Sequence, residues 1–154
     1  MADAKRTEVM DCSLEALWEV IIDYEGYPKF VDGVKKITVL ERKGSKTRVQ
    51  YELDMLGKKI TYVILTDEVP MKSVKWSKIE GDFFKSIEGS WALKPLGDNQ
   101  VEATYTLSVG FPLLVPKTIV NMLVGSQLPT MLKGFEAQAK KRMKKPAKSG
   151  KKGA

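Results

Sequence analysis

The chain has 154 residues, of which 43% are hydrophobic and 29% charged, and its formal net charge is +7 at pH 7. This length and composition are typical of one globular domain with a sizeable core. No apolar stretch approaches the roughly 20 residues that a membrane-spanning helix needs. The chain contains one cysteine and no histidine, which excludes an internal disulfide, a histidine-ligated metal and a histidine-dependent nucleophile within it.

The excess positive charge is concentrated at the carboxyl terminus. Residues 140–154 contain eight lysines and arginines and no acid, whereas the other 139 residues carry 18 basic and 19 acidic side chains. We expect residues 1–143 to form one domain and residues 144–154 to be a disordered basic tail. Weak contact of residues 140–154 with an anionic membrane surface stays open. The nearly neutral body argues against a nucleic-acid partner.

The amino terminus has no apolar run behind its positive charges, so we expect no signal peptide. The expected localisation is cytoplasmic, with peripheral membrane contact as an open alternative, and the expected oligomeric state is a monomer.

One strand and two short helices are predicted at the start of the chain. Residues 5–10 can form the strand. Ser13 is a good N-cap for a helix whose apolar residues recur at helical spacing and which should end near Tyr24. A second short helix or turn is predicted over Pro28–Val31.

From Val34 to Val109 the hydrophobic pattern changes to a period of two, which predicts strands separated by turn residues. The predicted strands are Val34–Arg42, Thr47–Leu56, Lys59–Val69, Ser73–Glu80, Ser86–Pro95 and Gln100–Val109. In the cleanest of them one face is apolar and the other polar. This alternation indicates an antiparallel sheet with one buried face.

Helical spacing returns after the apolar segment Phe111–Pro116 and continues to Ala139. Pro129 would remove a hydrogen bond from a continuous helix. The helix therefore either kinks there, or Ser126 caps a new helix with the proline in its first turn. A sheet with one apolar face needs a cover, and this helix is the only predicted element long enough to provide it.

Three segments carry a resemblance to a known family. They are Asp23–Phe30 with its Tyr-Pro-x-Phe core, the tryptophan strand Glu88–Leu96, and the helix opening Pro116–Asn121 followed by Leu128 and Pro129. In this order they resemble the START-like helix-grip superfamily, of the polyketide cyclase/dehydrase and ubiquinone-binding START-domain type.

The resemblance implies an α+β helix-grip fold, with two short helices after the first strand. In that fold a curved antiparallel sheet of six to seven strands wraps around a long C-terminal helix. It also implies a hydrophobic cavity for a lipid, isoprenoid quinone, sterol or polyketide. Some members of the superfamily are enzymes, so the fold suggests a class of ligand but no reaction.

Strand parity places apolar and aromatic residues on the buried face, with no carboxylate or amine among them. Such a wall suits an oily ligand that a few polar groups orient. The predicted ligand-binding residues are Tyr51, Leu53, Met55, Tyr62, Trp76, Trp91, Tyr105, Leu107 and Asn121. A plain core role is the alternative, and for each tyrosine that includes a hydrogen bond to a backbone carbonyl.

Apolar residues also occupy the predicted connections, which often marks a partner, a membrane or a ligand gate. The predicted cavity-mouth residues are Tyr27, Phe30, Phe83, Phe84, Phe111 and Leu114. The alternative is that they close the core at one end.

The residue types favour a binding protein over an enzyme. General acid–base catalysis needs a positioned group with a tuned pKa, and the inward strand faces offer only tyrosines. Lys78 and Asp54 are typical of solvated strand residues. We therefore expect a carrier or chaperone for an apolar small molecule, with no cofactor and no metal. A polyketide cyclase or dehydratase and a membrane- or protein-interaction module are the alternatives.

Overall fold

Seven antiparallel strands form one sheet in the computed structural model, which describes residues 2–55, 57–112, 116–118 and 127–143. The strands are β1 Ala2–Met10, β2 Val34–Lys43, β3 Lys46–Met55, β4 Lys58–Val69, β5 Ser73–Glu80, β6 Ser86–Gly97 and β7 Gln100–Gly110. Their spatial order is β1-β7-β6-β5-β4-β3-β2. Strands β2 to β7 therefore form consecutive hairpins, and β1 joins the sheet beside β7. All six strands predicted after residue 33 are confirmed within one or two residues of their bounds.

Helix α1 covers Leu14–Ile22, a 3-10 helix covers Tyr24–Lys29, and helix α2 covers Leu128–Met143. Ser13 caps α1 as predicted, since its Oγ accepts the Ala16 N–H at 3.2 Å. The predicted bounds of the second short helix were wrong, because it starts at Tyr24 instead of Pro28. A 3-10 turn follows α1 directly, with the Gly26 N–H donating to the Asp23 carbonyl at 3.0 Å.

Pro129 lies in the first turn of α2, where the missing N–H costs no helical hydrogen bond. This position favours a new helix over a kinked continuation. The predicted Ser126 cap, Leu114, Asn121 and the tail 144–154 lie outside the described residues. Residues 140–143 belong to α2, and Arg142 contacts Asp23 of the α1 C-cap at 2.9 Å.

Helix α2 packs against α1 and also contacts β1. Phe135 connects the layers, because its ring centroid lies 5.0 Å from that of Trp91 in β6 and 5.2 Å from that of Tyr27. This arrangement confirms the predicted α+β helix-grip fold.

The buried apolar residues form two clusters instead of one continuous core. The larger cluster joins α1, α2 and the central strands, and the smaller consists of Ile60, Phe84, Ile87 and Val109 with their neighbours. Half-buried Tyr62, Trp76 and Leu107 pack against both clusters. The two clusters thus flank a region that side chains fill incompletely.

Candidate functional site

An internal cavity of about 260 Å³ lies between the two clusters, enclosed by the sheet, the 3-10 helix and α2. Its wall contains all five tyrosines of the chain, two of the three tryptophans and three of the five phenylalanines. Aromatic residues make up only 8% of the chain. They are therefore strongly concentrated on the wall of this one cavity.

The cavity opens at the end of the sheet where β3, β5 and β7 end and β2, β4 and β6 begin. The solvent-exposed residues Asp32, Gly33 and Asp54 line it there. Phe84 and Phe111 lie on the same rim, with ring centroids 5.6 Å apart. The mouth therefore combines apolar rings with the carboxylates of Asp32 and Asp54. The Lys35 ammonium lies 3.6 Å from the Asp54 carboxylate.

Within the ranges that the structure describes, two of the five tyrosines have protein acceptors for their hydroxyl groups. The Tyr27 hydroxyl donates to the Ile21 carbonyl. The Tyr24 hydroxyl donates to the Glu68 carboxylate at 2.6 Å and lies 3.2 Å from the Thr66 hydroxyl. These two tyrosines tie the 3-10 helix to α1 and to the sheet.

The other three tyrosines, Tyr51, Tyr62 and Tyr105, differ in this respect. Among the described residues, no side chain or backbone carbonyl accepts a hydrogen bond from their hydroxyls. All three line the cavity, and Tyr105 is only 9% exposed. Within the described part of the chain, these three donors are therefore left to water or to a molecule in the cavity.

Burial keeps all three of these groups in the neutral, donating form. Desolvation raises the pKa of Tyr51 well above its ordinary value, with a further contribution from neighbouring tyrosines. The same cause raises the pKa of Tyr62 and of Tyr105. The wall thus offers uncharged donors, which suit a carbonyl or ether oxygen.

Ring packing fixes where these donors lie. Tyr51 and Tyr62 are register partners in β3 and β4, and their rings stack with centroids 5.1 Å apart and an interplanar angle of 8°. Tyr105 lies between two indoles, 5.5 Å from Trp76 and 5.0 Å from Trp91. Such aromatic contacts restrict rotation and orient the hydroxyls.

Most of the predicted ligand-binding residues are brought together on the wall. They are Tyr51, Leu53, Tyr62, Trp76, Trp91, Tyr105 and Leu107. Asn121 and the side chain of Met55 lie outside the described part of the chain. Trp76 and Tyr62 had the least regular strand patterns, yet both face the cavity.

The predicted mouth residues divide into two groups. Tyr27, Phe84 and Phe111 line the cavity, although Tyr27 and Phe84 are buried and not exposed as loop residues would be. Phe30 packs on Phe135 at 5.0 Å, and Phe83 packs on Phe84 at 5.0 Å. Neither Phe30 nor Phe83 lies on the cavity wall.

Strand parity did not identify several of the residues on the cavity wall. Ile21 and Tyr24 come from the helical segment, where parity says nothing. Thr66 is fully buried on the inward face of β4, in line with Ile64 and Tyr62, and alternation along that strand could have found it. Asp54 was assigned to solvent by parity; it is exposed, and it also lines the rim because β3 ends there.

Two other reactive side chains, Lys78 and Cys12, do not line the cavity. The Lys78 ammonium donates to the Gly81 carbonyl at 2.7 Å. Cys12 is fully buried, and burial raises the pKa of its thiol to about 11, which opposes thiolate formation. Within the described ranges, no cluster of acidic and cysteine side chains could hold a metal ion. None of the helices described there is long and apolar enough to cross a membrane.

Comparisons with known proteins agree with this architecture. A sequence profile of the family described as "Polyketide cyclase / dehydrase and lipid transport" matches residues 10–136. A ribosome association toxin, RatA, from Vibrio cholerae is 21% identical over 140 residues, covering 91% of this chain and 96% of that protein. A mitochondrial coenzyme Q-binding protein COQ10 homolog B from Xenopus laevis is 24% identical over 136 residues, covering 86% of this chain and 56% of that protein.

Among solved structures, a START superfamily protein from Mycobacterium smegmatis superposes with a TM-score of 0.76 and 22% identity. The superposition covers 90% of this chain and 97% of that one. At this identity the likeness describes the fold.

Proposed function

The chain belongs to the polyketide cyclase/dehydrase and lipid transport family, and from that premise we propose that it is a carrier for one apolar, ring-containing small molecule. An isoprenoid quinone, a polyketide or another lipid with carbonyl oxygens fits this description. The observation that carries the proposal is the aromatic cavity with three phenols on its wall, whose hydroxyls donate to no acceptor in the described part of the chain. The proposed ligand-binding residues are Tyr51, Leu53, Tyr62, Trp76, Trp91, Tyr105 and Leu107.

The wall chemistry supports binding without covalent change. Apolar ring surfaces supply most of the affinity by excluding water, and a few polar groups fix the orientation. Three phenols whose pKa values are raised donate hydrogen bonds readily but exchange protons poorly near neutral pH. This combination favours a carrier over a general acid–base enzyme.

Native mass spectrometry of freshly purified protein tests this proposal. We expect one small molecule per chain, and solvent extraction should yield a neutral compound with a ring system and oxygen acceptors. The extracted compound should return unchanged after incubation with fresh protein, whereas a cyclase or dehydratase would convert it. A bare chain that also fails to take up menadione, a neutral quinone, would contradict the carrier proposal.

An interaction module is the second candidate, favoured by the eight basic residues within residues 140–154. Lysines and arginines near an anionic membrane each contribute about 1 kcal/mol to binding. The relative named as a ribosome association toxin indicates the ribosome as another anionic surface. Pelleting with anionic vesicles and, separately, with ribosomes distinguishes the two partners, and salt should weaken either contact.

A further inference from the structure

Trp76 and Gly89 face each other across β5 and β6, and the indole occupies the space that any side chain at position 89 would need. The two residues are register partners. A Cβ placed on Gly89 would lie 2.4 Å from Cζ2, 2.5 Å from Cε2 and 2.7 Å from Nε1 of Trp76. Non-bonded carbon atoms prefer a separation of about 3.5–4.0 Å. The indole therefore rests directly on the backbone of β6.

The neighbours of this pair define where the indole could move. Thr66, Trp76, Gly89 and Leu107 form one row across β4 to β7 on the concave face of the sheet. Towards β6 the ring lies against the position that a Gly89 side chain would take, and Tyr105 of β7 lies beyond it, with ring centroids 5.5 Å apart. A side chain at position 89 would push the ring away from the sheet, into the cavity that Trp76 lines.

We propose that the Gly89–Trp76 pair sets the size of the ligand that the cavity accepts, an inference that rests on the proposed carrier function. A glycine inside a strand often marks a close approach of another group. Here the approaching group, the Trp76 indole, is part of the cavity wall. Because Gly89 has no side chain, the indole lies closer to β6 and leaves a larger cavity volume. Trp76 packs against both core clusters, and its height above β6 controls the width of the gap between them.

A homologous series of neutral probes tests this role. The 6-acyl-2-dimethylaminonaphthalenes share one fluorophore and one ketone, and their acyl chains lengthen from acetyl through propionyl (Prodan) to dodecanoyl (Laurdan). We expect Gly89→Ala to lower the affinity for the longest homologue that binds to the wild type by about tenfold. The affinity for the acetyl homologue should stay within about threefold of the wild-type value. Adding Trp76→Phe should restore the longer homologue, because the smaller ring leaves space for the methyl group.

Gly97→Ala is the matched control. It makes the same change in the same strand, but no atom lies within 4 Å of the added Cβ. This variant should bind the whole series like the wild type, and thermal unfolding should show that every variant is folded.

Equal effects of Gly89→Ala on all homologues, no effect at all, or no restoration by Trp76→Phe would overturn the size-setting role. If Gly89→Ala does not fold, Trp76→Phe alone should raise affinity for the longer homologues relative to the acetyl one by about threefold or more. An unchanged ratio would then overturn the inference. A wild type that binds none of the series would instead contradict the carrier function.

Discussion

The rings of Tyr51 and Tyr62 stack on neighbouring strands with centroids 5.1 Å apart and planes 8° from parallel, and both residues line the cavity. Cross-strand aromatic pairs stabilise a sheet. This pair therefore contributes through its rings to folding, and through its hydroxyls to the proposed binding site. The two contributions can be separated by removing the oxygen alone.

Phenylalanine at Tyr51, Tyr62 or Tyr105 should weaken ligand binding but leave stability almost unchanged. Each hydroxyl that bonds a ligand oxygen contributes about 1 kcal/mol, or roughly fivefold in Kd. The free energy of unfolding should change by no more than about 0.5 kcal/mol, because no partner in the described chain is lost. Titration with Prodan and urea unfolding measure the two effects.

Tyr27→Phe is the control for these three variants, and it should show the opposite pattern. It leaves the buried Ile21 carbonyl without its donor, which should cost about 1–3 kcal/mol of stability. Ligand affinity should stay close to that of the wild type. A similar loss of stability for all four variants would contradict the distinction between the Tyr27 hydroxyl and the three that donate to no acceptor in the described chain.

Glu68→Ala should destabilise the fold by about 2 kcal/mol, since it removes the acceptor for two donors. The Glu68 carboxylate accepts the Tyr24 hydroxyl at 2.6 Å and the Thr47 hydroxyl at 3.2 Å, and its side chain is 13% exposed. Glu80→Ala removes an exposed carboxylate that lies 3.9 Å from Arg48, and should cost less than about 0.5 kcal/mol. Urea unfolding of both variants compares them, and equal costs would contradict a structural role for Glu68.

Alkaline pH should destabilise the protein through its tyrosines. Burial raises the pKa of all five above the ordinary value, so the unfolded chain releases phenolic protons that the native state retains. The contribution of the five tyrosines to the free energy of unfolding is complete below about pH 10. Above that pH it decreases by up to about 1.4 kcal/mol per pH unit for each tyrosine. Tyrosinate absorbance at alkaline pH should appear together with unfolding. Tyrosines that titrate near pH 10 in the native protein would contradict the burial of their side chains.

Two truncations separate the helix from the basic segment. A chain ending at Met143 loses five lysines, and should be as stable as the full chain but pellet less with anionic vesicles at low salt. A chain ending at Ala139 also loses Arg142, which lies 2.9 Å from Asp23 and 3.7 Å from Glu19. That chain should be less stable by about 1 kcal/mol. Equal vesicle binding by the full chain and the Met143 truncation at all salt concentrations would exclude the membrane contact.

The strands and their inward faces were predictable because period-two alternation records burial directly. For this reason alternation places Tyr51, Trp91, Tyr105 and Leu107 on the inward side, where the structure has them. The start of the short helix at Tyr24 was not predictable, because 3-10 turns carry a weak sequence signal and Pro28 suggested a later start.

The cavity itself could not be derived from alternation, because a pattern of apolar residues does not distinguish a filled core from a lined space. That difference depends on volumes across strands that are distant in sequence. Gly89 illustrates this, since its role depends entirely on Trp76 in the neighbouring strand. The buried state of Phe84 likewise follows from its contact with Tyr62, at 5.5 Å between ring centroids.

Titration of the wild-type chain with Prodan, followed by energy transfer from tryptophan, tests whether the cavity binds a small molecule. Trp76 and Trp91 line the cavity, so a bound probe must quench their emission. We expect saturable transfer at one probe per chain, with Prodan emission shifted to the blue as in an apolar solvent. Transfer that does not saturate, or bound probe emitting as it does in water, would contradict the claim that this cavity is a binding site.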